Sequence, residues 1–144
     1  MATVNKILEK KGKSPYTIAS SITVYDALKE MVERNVGALI VMDGEQFKGL
    51  FTERDYARKV MLQGKTSRET IVYEILDTDC ITVELNTPIP YCMSLMTENS
   101  IRYLPVLDNG LLAGIISIGD VVKFIIDEQQ FTLEQMQQYI SDSR

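Results

Sequence analysis

A chain of 144 residues is long enough for one ordinary domain or two small ones. Its 45% hydrophobic and 24% charged content excludes a disordered, collagenous or coiled-coil chain. With 15 basic against 20 acidic side chains the net charge is −5, so no nucleic-acid partner and no anionic membrane surface is expected.

Met1 to Lys13 carries no apolar run followed by small residues, so no secretory signal is expected, and Glu9 argues against a mitochondrial presequence. Val4, Ile7 and Leu8 read as a short helix. Tyr16 to Ala19 is a short strand. Tyr25 to Arg34 has apolar residues at Ala27, Leu28, Met31 and Val32, which is helical spacing. Ala38 to Met42 is a continuous apolar strand, Asp43-Gly44 a turn, and Phe47 to Phe51 the returning strand of a hairpin. A helix then begins near Thr52. Solid apolar strands are buried on both faces, so helices should cover the sheet.

The pattern then recurs. Gly49-Leu50-Phe51-Thr52-Glu53-Arg54-Asp55 returns as Gly114-Ile115-Ile116-Ser117-Ile118-Gly119-Asp120, an offset of 114 − 49 = 65 residues. The same offset aligns Thr17 with Thr82, Met31 with Met96, Leu39 with Leu104, Val41 with Val106 and Asp43 with Asp108. Upstream, Val4-x-x-Ile7-Leu8 matches Val72-x-x-Ile75-Leu76 at an offset of 68, so the first copy holds about three extra residues near Lys11 to Ser14. Gly64 to Arg68 is the polar joint. Residues 1–66 form the first β-α-β-β-α copy with its N-terminal helix, and residues 67–127 the second. Residues 128–144 form a helical tail. No long Gly/Ser linker separates the copies, so they should pack on each other. In the tail, Thr132 with Gln135 reads as the cap of a separate helix over Phe131 to Ile140. Leu133, Met136, Tyr139 and Ile140 would share one face, which either covers the chain's own core or meets a second copy.

There is no histidine and there are two cysteines, Cys80 and Cys92. Ser-His and Cys-His nucleophile pairs are excluded, a structural zinc site is not expected, and no paired carboxylates stand at a catalytic spacing. The cysteines form no disulfide framework, which points to a reducing cytoplasm, and no basic neighbour or Cys-x-x-Cys spacing supports a redox role. Binding rather than catalysis is expected.

The repeated turn carries the binding signal. Thr52 with Asp55, and Ser117 with Asp120, place a small hydroxyl and an acid where a strand becomes a helix. A capping box is one reading, although its usual acid is the longer Glu or Gln. Each copy also has a glycine, Gly49 and Gly114, where the backbone can be approached closely. Free helix N–H groups suit a phosphate, and an Asp suits a ribose diol.

The motif apolar-x-Gly-apolar-apolar-Ser/Thr-x-x-Asp, repeated at about 65 residues, resembles the cystathionine-β-synthase (CBS) domain pair. So do Val36 to Val41 with Asp43 and Ile101 to Val106 with Asp108. The resemblance spans roughly residues 4 to 127, and Glu53 to Val60 is similar to small stand-alone members. It implies an α/β (α+β) fold with pseudo-twofold symmetry, two clefts between the copies, and a disc-like homodimer. It further implies a non-catalytic regulatory module binding an adenine nucleotide: AMP first, with ATP, NADH or S-adenosylmethionine as alternatives. No effector domain is expected, so any output would run through an unknown effector protein. One cleft would combine Ser117, Gly119 and Asp120 with Ile22, Ala27, Val36, Gly37 and Ala38. The other would combine Thr52, Arg54 and Asp55 with Thr87, Cys92, Ile101, Arg102 and Tyr103. Arg54 and Arg102 match phosphate geometry, with Arg58 and Lys59 adding charge. Gly37 stands where the second copy has Arg102, so the two clefts should differ in their hold on phosphate. A scaffold with vestigial, unoccupied clefts is the alternative.

Overall fold

A computed structural model of the chain describes residues 1–12 and 15–142. Lys13 and Ser14, within the stretch expected to hold the extra residues, lie outside it, as do the last two residues.

Helix α1 spans Val4–Lys11, strand β1 Thr17–Ile18, helix α2 Val24–Arg34, strand β2 Ala38–Asp43 and strand β3 Gln46–Thr52. One turn of helix α3, Glu53–Asp55, runs into a π-helical turn over Tyr56–Met61. A 3-10 turn at Val72–Glu74 opens the second copy, followed by β4 (Val83–Glu84), α4 (Ile89–Asn99), β5 (Tyr103–Asp108), β6 (Leu111–Ser117) and α5 (Ile118–Asp142). Each copy folds one three-stranded sheet, in the orders β1-β2-β3 and β4-β5-β6, with a parallel pair and then the expected hairpin. The register shift between Val41 and Met42 repeats between Val106 and Leu107, so the duplication extends to a bulge.

Two cores form, one per sheet. Side chains alternate across a strand, so Leu39 and Val41 enter the first core while Ala38 and Ile40 are buried on the other sheet face. The sheets meet where β3 approaches β6.

The opening segments are exchanged between the copies. Val4 and Ile7 of α1 pack in the second core with Met96, Leu104 and Phe124. Val72, Ile75 and Leu76 pack in the first core with Met31, Val41 and Phe51. The backbone ties are reciprocal: Val4 N donates to Thr87 O at 3.0 Å, and Val72 N to Ile22 O at 2.9 Å. Each copy therefore completes the other's core, which holds two roughly 60-residue units together more firmly than a surface contact would.

Two sequence expectations are corrected. The second opening segment is a 3-10 turn rather than a helix. The tail is not a separate helix, because α5 runs unbroken for 25 residues. Thr132 sits inside it, its hydroxyl donating to Glu128 O at 3.0 Å instead of capping. No Gly or Pro follows Gly119, so nothing stops the helix. Leu133, Met136 and Tyr139 are exposed and do not cover the chain's own core.

Candidate functional site

Both strand–helix turns close on themselves. Asp55 Oδ2 accepts from the Thr52 amide at 2.9 Å and the Thr52 hydroxyl at 3.0 Å, while the Asp55 amide donates to Thr52 Oγ1 at 3.1 Å. In the second copy the Ser117 amide donates to Asp120 Oδ2 at 2.9 Å and the Asp120 amide to Ser117 Oγ at 3.0 Å. Aspartate therefore does close a capping box here, contrary to the argument from its length. The extended cap residue (Thr52 φ −121°, ψ 163°) brings its own amide to the carboxylate. Each helix start is also tied to the strand entry of its copy, Glu53 N to Gly37 O at 3.1 Å and Ile118 N to Arg102 O at 2.8 Å.

The glycines serve the fold. Gly49 (φ +147°) is approached by the main-chain carbonyl of Asp77, and Leu50 and Asp77 exchange backbone hydrogen bonds of 3.1 and 2.9 Å. Gly114 admits the side chain of Leu8. The close approach is by the chain itself.

At the seam beside Asp55 lies a cavity of about 810 Å³. Six of the eight residues expected at this cleft converge on it: Thr52, Arg54 and Asp55 from the first copy, and Ile101, Arg102 and Tyr103 from the second. Gly37, expected at the other cleft, lines this one. A Cβ there would stand 2.5 Å from the Tyr103 hydroxyl, so the missing side chain makes room for the tyrosine. Thr87 and Cys92 lie elsewhere. Thr87 Oγ1 accepts from the Glu84 amide at 2.9 Å, and Cys92 is fully buried in the second core.

Charge in the cavity is divided. Arg54, Arg58, Lys59 and Arg102 line it together with Glu53, Asp55, Asp77 and Asp79. Arg54 spans the seam, donating to Ser100 O at 2.8 Å. Lys59 Nζ stands 3.3 Å from Asp55 Oδ1 and donates to Ile75 O at 3.1 Å. The Arg58 and Arg102 guanidinium groups have no ion-pair partner among the described residues. The π-turn, in which the Leu62 amide donates to Ala57 O at 3.0 Å, belongs to the first copy alone and presents Arg58 and Lys59 to the cavity.

The other expected cleft is differently furnished. Ala27 is fully buried in the first core, Ile22 packs against that core, and Ala38 is buried in the sheet. Val36 is partly exposed, its amide donating to Met31 O at 3.0 Å. Gly119 follows the Ser117 cap, whose Oγ stands 3.5 Å from where a Gly119 Cβ would be. Lys11, which sequence reasoning missed, donates to Asp120 Oδ2 and to Ile115 O, both at 2.9 Å. Burial pushes the Asp120 carboxyl up, but the Ser117 amide, the Lys11 ammonium and the Ser117 hydroxyl outweigh it and hold the group below its ordinary 3.8.

Asp77, Asp79 and Cys80 also line the first cavity and were not expected at either cleft. They lie in the loop between the 3-10 turn and β4, inside the second copy. Burial, and secondarily the Asp77 carboxylate, push the Cys80 thiol up to about 11, and burial raises Cys92 as well. Neither is poised as a thiolate nucleophile. Among the described residues no group of His, Cys, Asp and Glu could hold a metal ion, and no helix is long and apolar enough to cross a membrane.

Comparison with known proteins agrees with this architecture. The family model described as CBS domain matches twice, over residues 11–62 and 72–127. The mitochondrial CBS domain-containing protein CBSX3 of Arabidopsis thaliana is 40% identical over 147 aligned positions, covering 96% of this chain and 71% of the relative. A CBS-domain protein of Burkholderia ambifaria MC40-6 superposes with a TM-score of 0.84 at 48% identity, covering 89% of this chain and 96% of that one. A hexameric CBS-CP12 protein from bloom-forming cyanobacteria superposes with a TM-score of 0.72 at 29% identity, covering 94% and 85% of the two chains. Two matched repeats, two equivalent sheets and a seam cavity framed by the repeated motif lead to one assignment: the chain belongs to the CBS domain family, as a tandem pair.

Proposed function

We propose that the pair is a non-catalytic regulatory module that binds an adenine nucleotide, AMP in the first place, in the cavity beside Asp55. ATP, NADH and S-adenosylmethionine are the alternatives. The observation that carries the reading is the meeting of three features in one cavity of about 810 Å³. An Asp stands at a strand–helix turn, the apolar walls Ile101 and Tyr103 face it, and two arginines, Arg58 and Arg102, lack ion partners. Asp55 Oδ1 lies outside the capping box and faces Lys59 Nζ at 3.3 Å, so a ribose hydroxyl would bind it beside that ammonium, while an Arg fork suits the phosphate. A volume of this size falls within the range of small-molecule sites. Ligand binding regulates a partner only through differential affinity for two states, so an effector protein belongs to this reading. So do a homodimer and the reducing cytoplasm in which two free thiols persist.

The second reading, a scaffold with unoccupied clefts, is favoured by one fact: both aspartates already satisfy their own cap residues. Thermal-shift titration separates the two. AMP at about 100 times its Kd should add about 2.7 kcal/mol of stability, GMP should add much less, and Asp55→Ala should abolish the increment whatever its own baseline. If no adenine compound moves the transition, and denatured protein releases no co-purified nucleotide to mass spectrometry, the scaffold reading holds.

A further inference from the structure

The two copies part company one residue after their matched aspartates. At Tyr56 and Val121 the repeat offset is still 121 − 56 = 65 residues, and both side chains face their own core, Tyr56 packed against the first and Val121 buried in the second. The next buried residues are Val60 and Phe124, where the offset has become 124 − 60 = 64. Between its two core residues the second copy holds Val122 and Lys123, both exposed on the regular helix α5. The first copy holds three residues there, Ala57, Arg58 and Lys59. The π-turn takes up the extra one: the Leu62 amide donates to Ala57 O at 3.0 Å, five residues back, and such a turn contains one residue more than an α turn. At a constant offset of 65 the counterpart of the buried Phe124 is Lys59, whose ammonium would be costly to bury unpaired. The wider winding keeps Val60 in the core and sets Arg58 and Lys59 on the cavity wall, while Ala57 is exposed and does not line the cavity.

We propose that this one-residue insertion is the phosphate selector of the Asp55 cavity: the π-turn aims Arg58 at the phosphate of a bound adenine nucleotide and so makes the cavity prefer nucleotide to nucleoside. Arg58 is the cation of this turn that is left for a ligand. Lys59 is committed to Asp55 Oδ1 and Ile75 O, whereas the Arg58 guanidinium has no ion-pair partner among the described residues. Without the extra residue Arg58 would follow Tyr56 directly, in the exposed place of Ala57, and Lys59 would move into the place of Arg58. Val60 would still fill the core position that Phe124 fills in the second copy. Losing the guanidinium from the wall weakens AMP binding by about tenfold, the scale of one charge-assisted hydrogen bond, and leaves adenosine binding as it was.

This inference rests on the nucleotide reading of the Asp55 cavity, and titration calorimetry with AMP and with adenosine tests the two separately. Wild type should bind AMP at least about tenfold more tightly than adenosine. Deletion of Ala57 should cost about tenfold for AMP and nothing for adenosine. Adding Lys59→Arg to the deletion chain, which returns a guanidinium to the place of Arg58, should restore the preference. Arg58→Met in the chain of natural length should lose the same tenfold for AMP, and this arm stands even if circular dichroism shows that the deletion chain does not fold. Equal affinity of wild type for AMP and adenosine overturns the selector while leaving an adenine site intact. So does a preference that survives Arg58→Met, or one that survives deletion of Ala57 in a folded chain. A loss that Lys59→Arg does not restore assigns the effect to packing and also overturns it. No binding of either compound to any chain overturns the nucleotide reading and the selector together.

Discussion

Gly49 and Gly114 occupy the same repeat position, yet alanine should act on them very differently. At Gly49 the backbone has φ +147°, where an L side chain is strained, and the new Cβ would run into the main-chain carbonyl of Asp77. Such a conformation costs about 1–3 kcal/mol. Relieving the clash means parting Leu50 from Asp77, whose two mutual hydrogen bonds are worth about 1 kcal/mol each. Gly49→Ala should therefore lose about 3–5 kcal/mol, a fall in Tm of about 10–15 °C for a chain of this length. Gly114 lies outside the left-handed region, and its Cβ would meet only the end of the Leu8 side chain, Cδ2 at 2.9 Å. A rotamer change there costs about 0.5–1.5 kcal/mol. The lost flexibility of the unfolded chain returns about 0.4–1 kcal/mol. The net effect of Gly114→Ala should stay within about 1 kcal/mol. Urea unfolding followed by far-UV circular dichroism measures both. Truncating the Asp77 side chain should not rescue Gly49→Ala, since the obstructing atom is main chain. Equal losses at the two glycines, or a Gly49→Ala cost below about 1 kcal/mol, would refute the reasoning.

Acid should weaken the second copy's Lys11–Asp120 pair: Asp120 is held below 3.8, so the pair stabilises above that value and is lost as pH falls through the lower folded value. Lys11→Met should flatten the acid limb of the stability–pH curve below pH 3.8 and cost up to about 1 kcal/mol at neutral pH; an unchanged acid limb contradicts this. With its thiol pushed from 9.0 to about 11, Cys80 should carry about 100-fold less thiolate than in the unfolded chain near pH 7. Alkylation should be slow in native protein and faster in Asp77→Asn, and mass spectrometry of the Cys80 peptide reads both. On α5, Val122, Ile126, Leu133 and Met136 are 40–58% exposed and fall at four- and three-residue steps with Gln129 between them, a heptad seam fit for a second copy. Leu133→Asp with Met136→Asp should halve the mass seen by sedimentation equilibrium, and no change in mass would exclude this seam as the contact.

Much of the site was legible because the signals are local. A hydroxyl and an acid three residues apart at a strand's end dictate a cap wherever they occur, so Thr52–Asp55 and Ser117–Asp120 could be located before any packing was known. The resemblance to the CBS pair then implied that Arg54 and Arg102 would share one cleft, and both line the cavity. The same local reasoning misjudged the tail. Thr132 and Gln135 look like a helix start, yet without a breaker upstream the preceding helix simply continues.

Residue order alone thus settles the duplication, the strand–helix alternation and the polar turns, since periodicity and capping are properties of neighbours along the chain. Which core α1 joins, how the Asp77 carbonyl nests on Gly49, and that Lys11 reaches Asp120 from 109 positions away are matters of packing. An apolar stripe specifies burial but not against what. The exchange of opening segments, and with it the inequality of the two clefts, emerges only when both sheets are assembled.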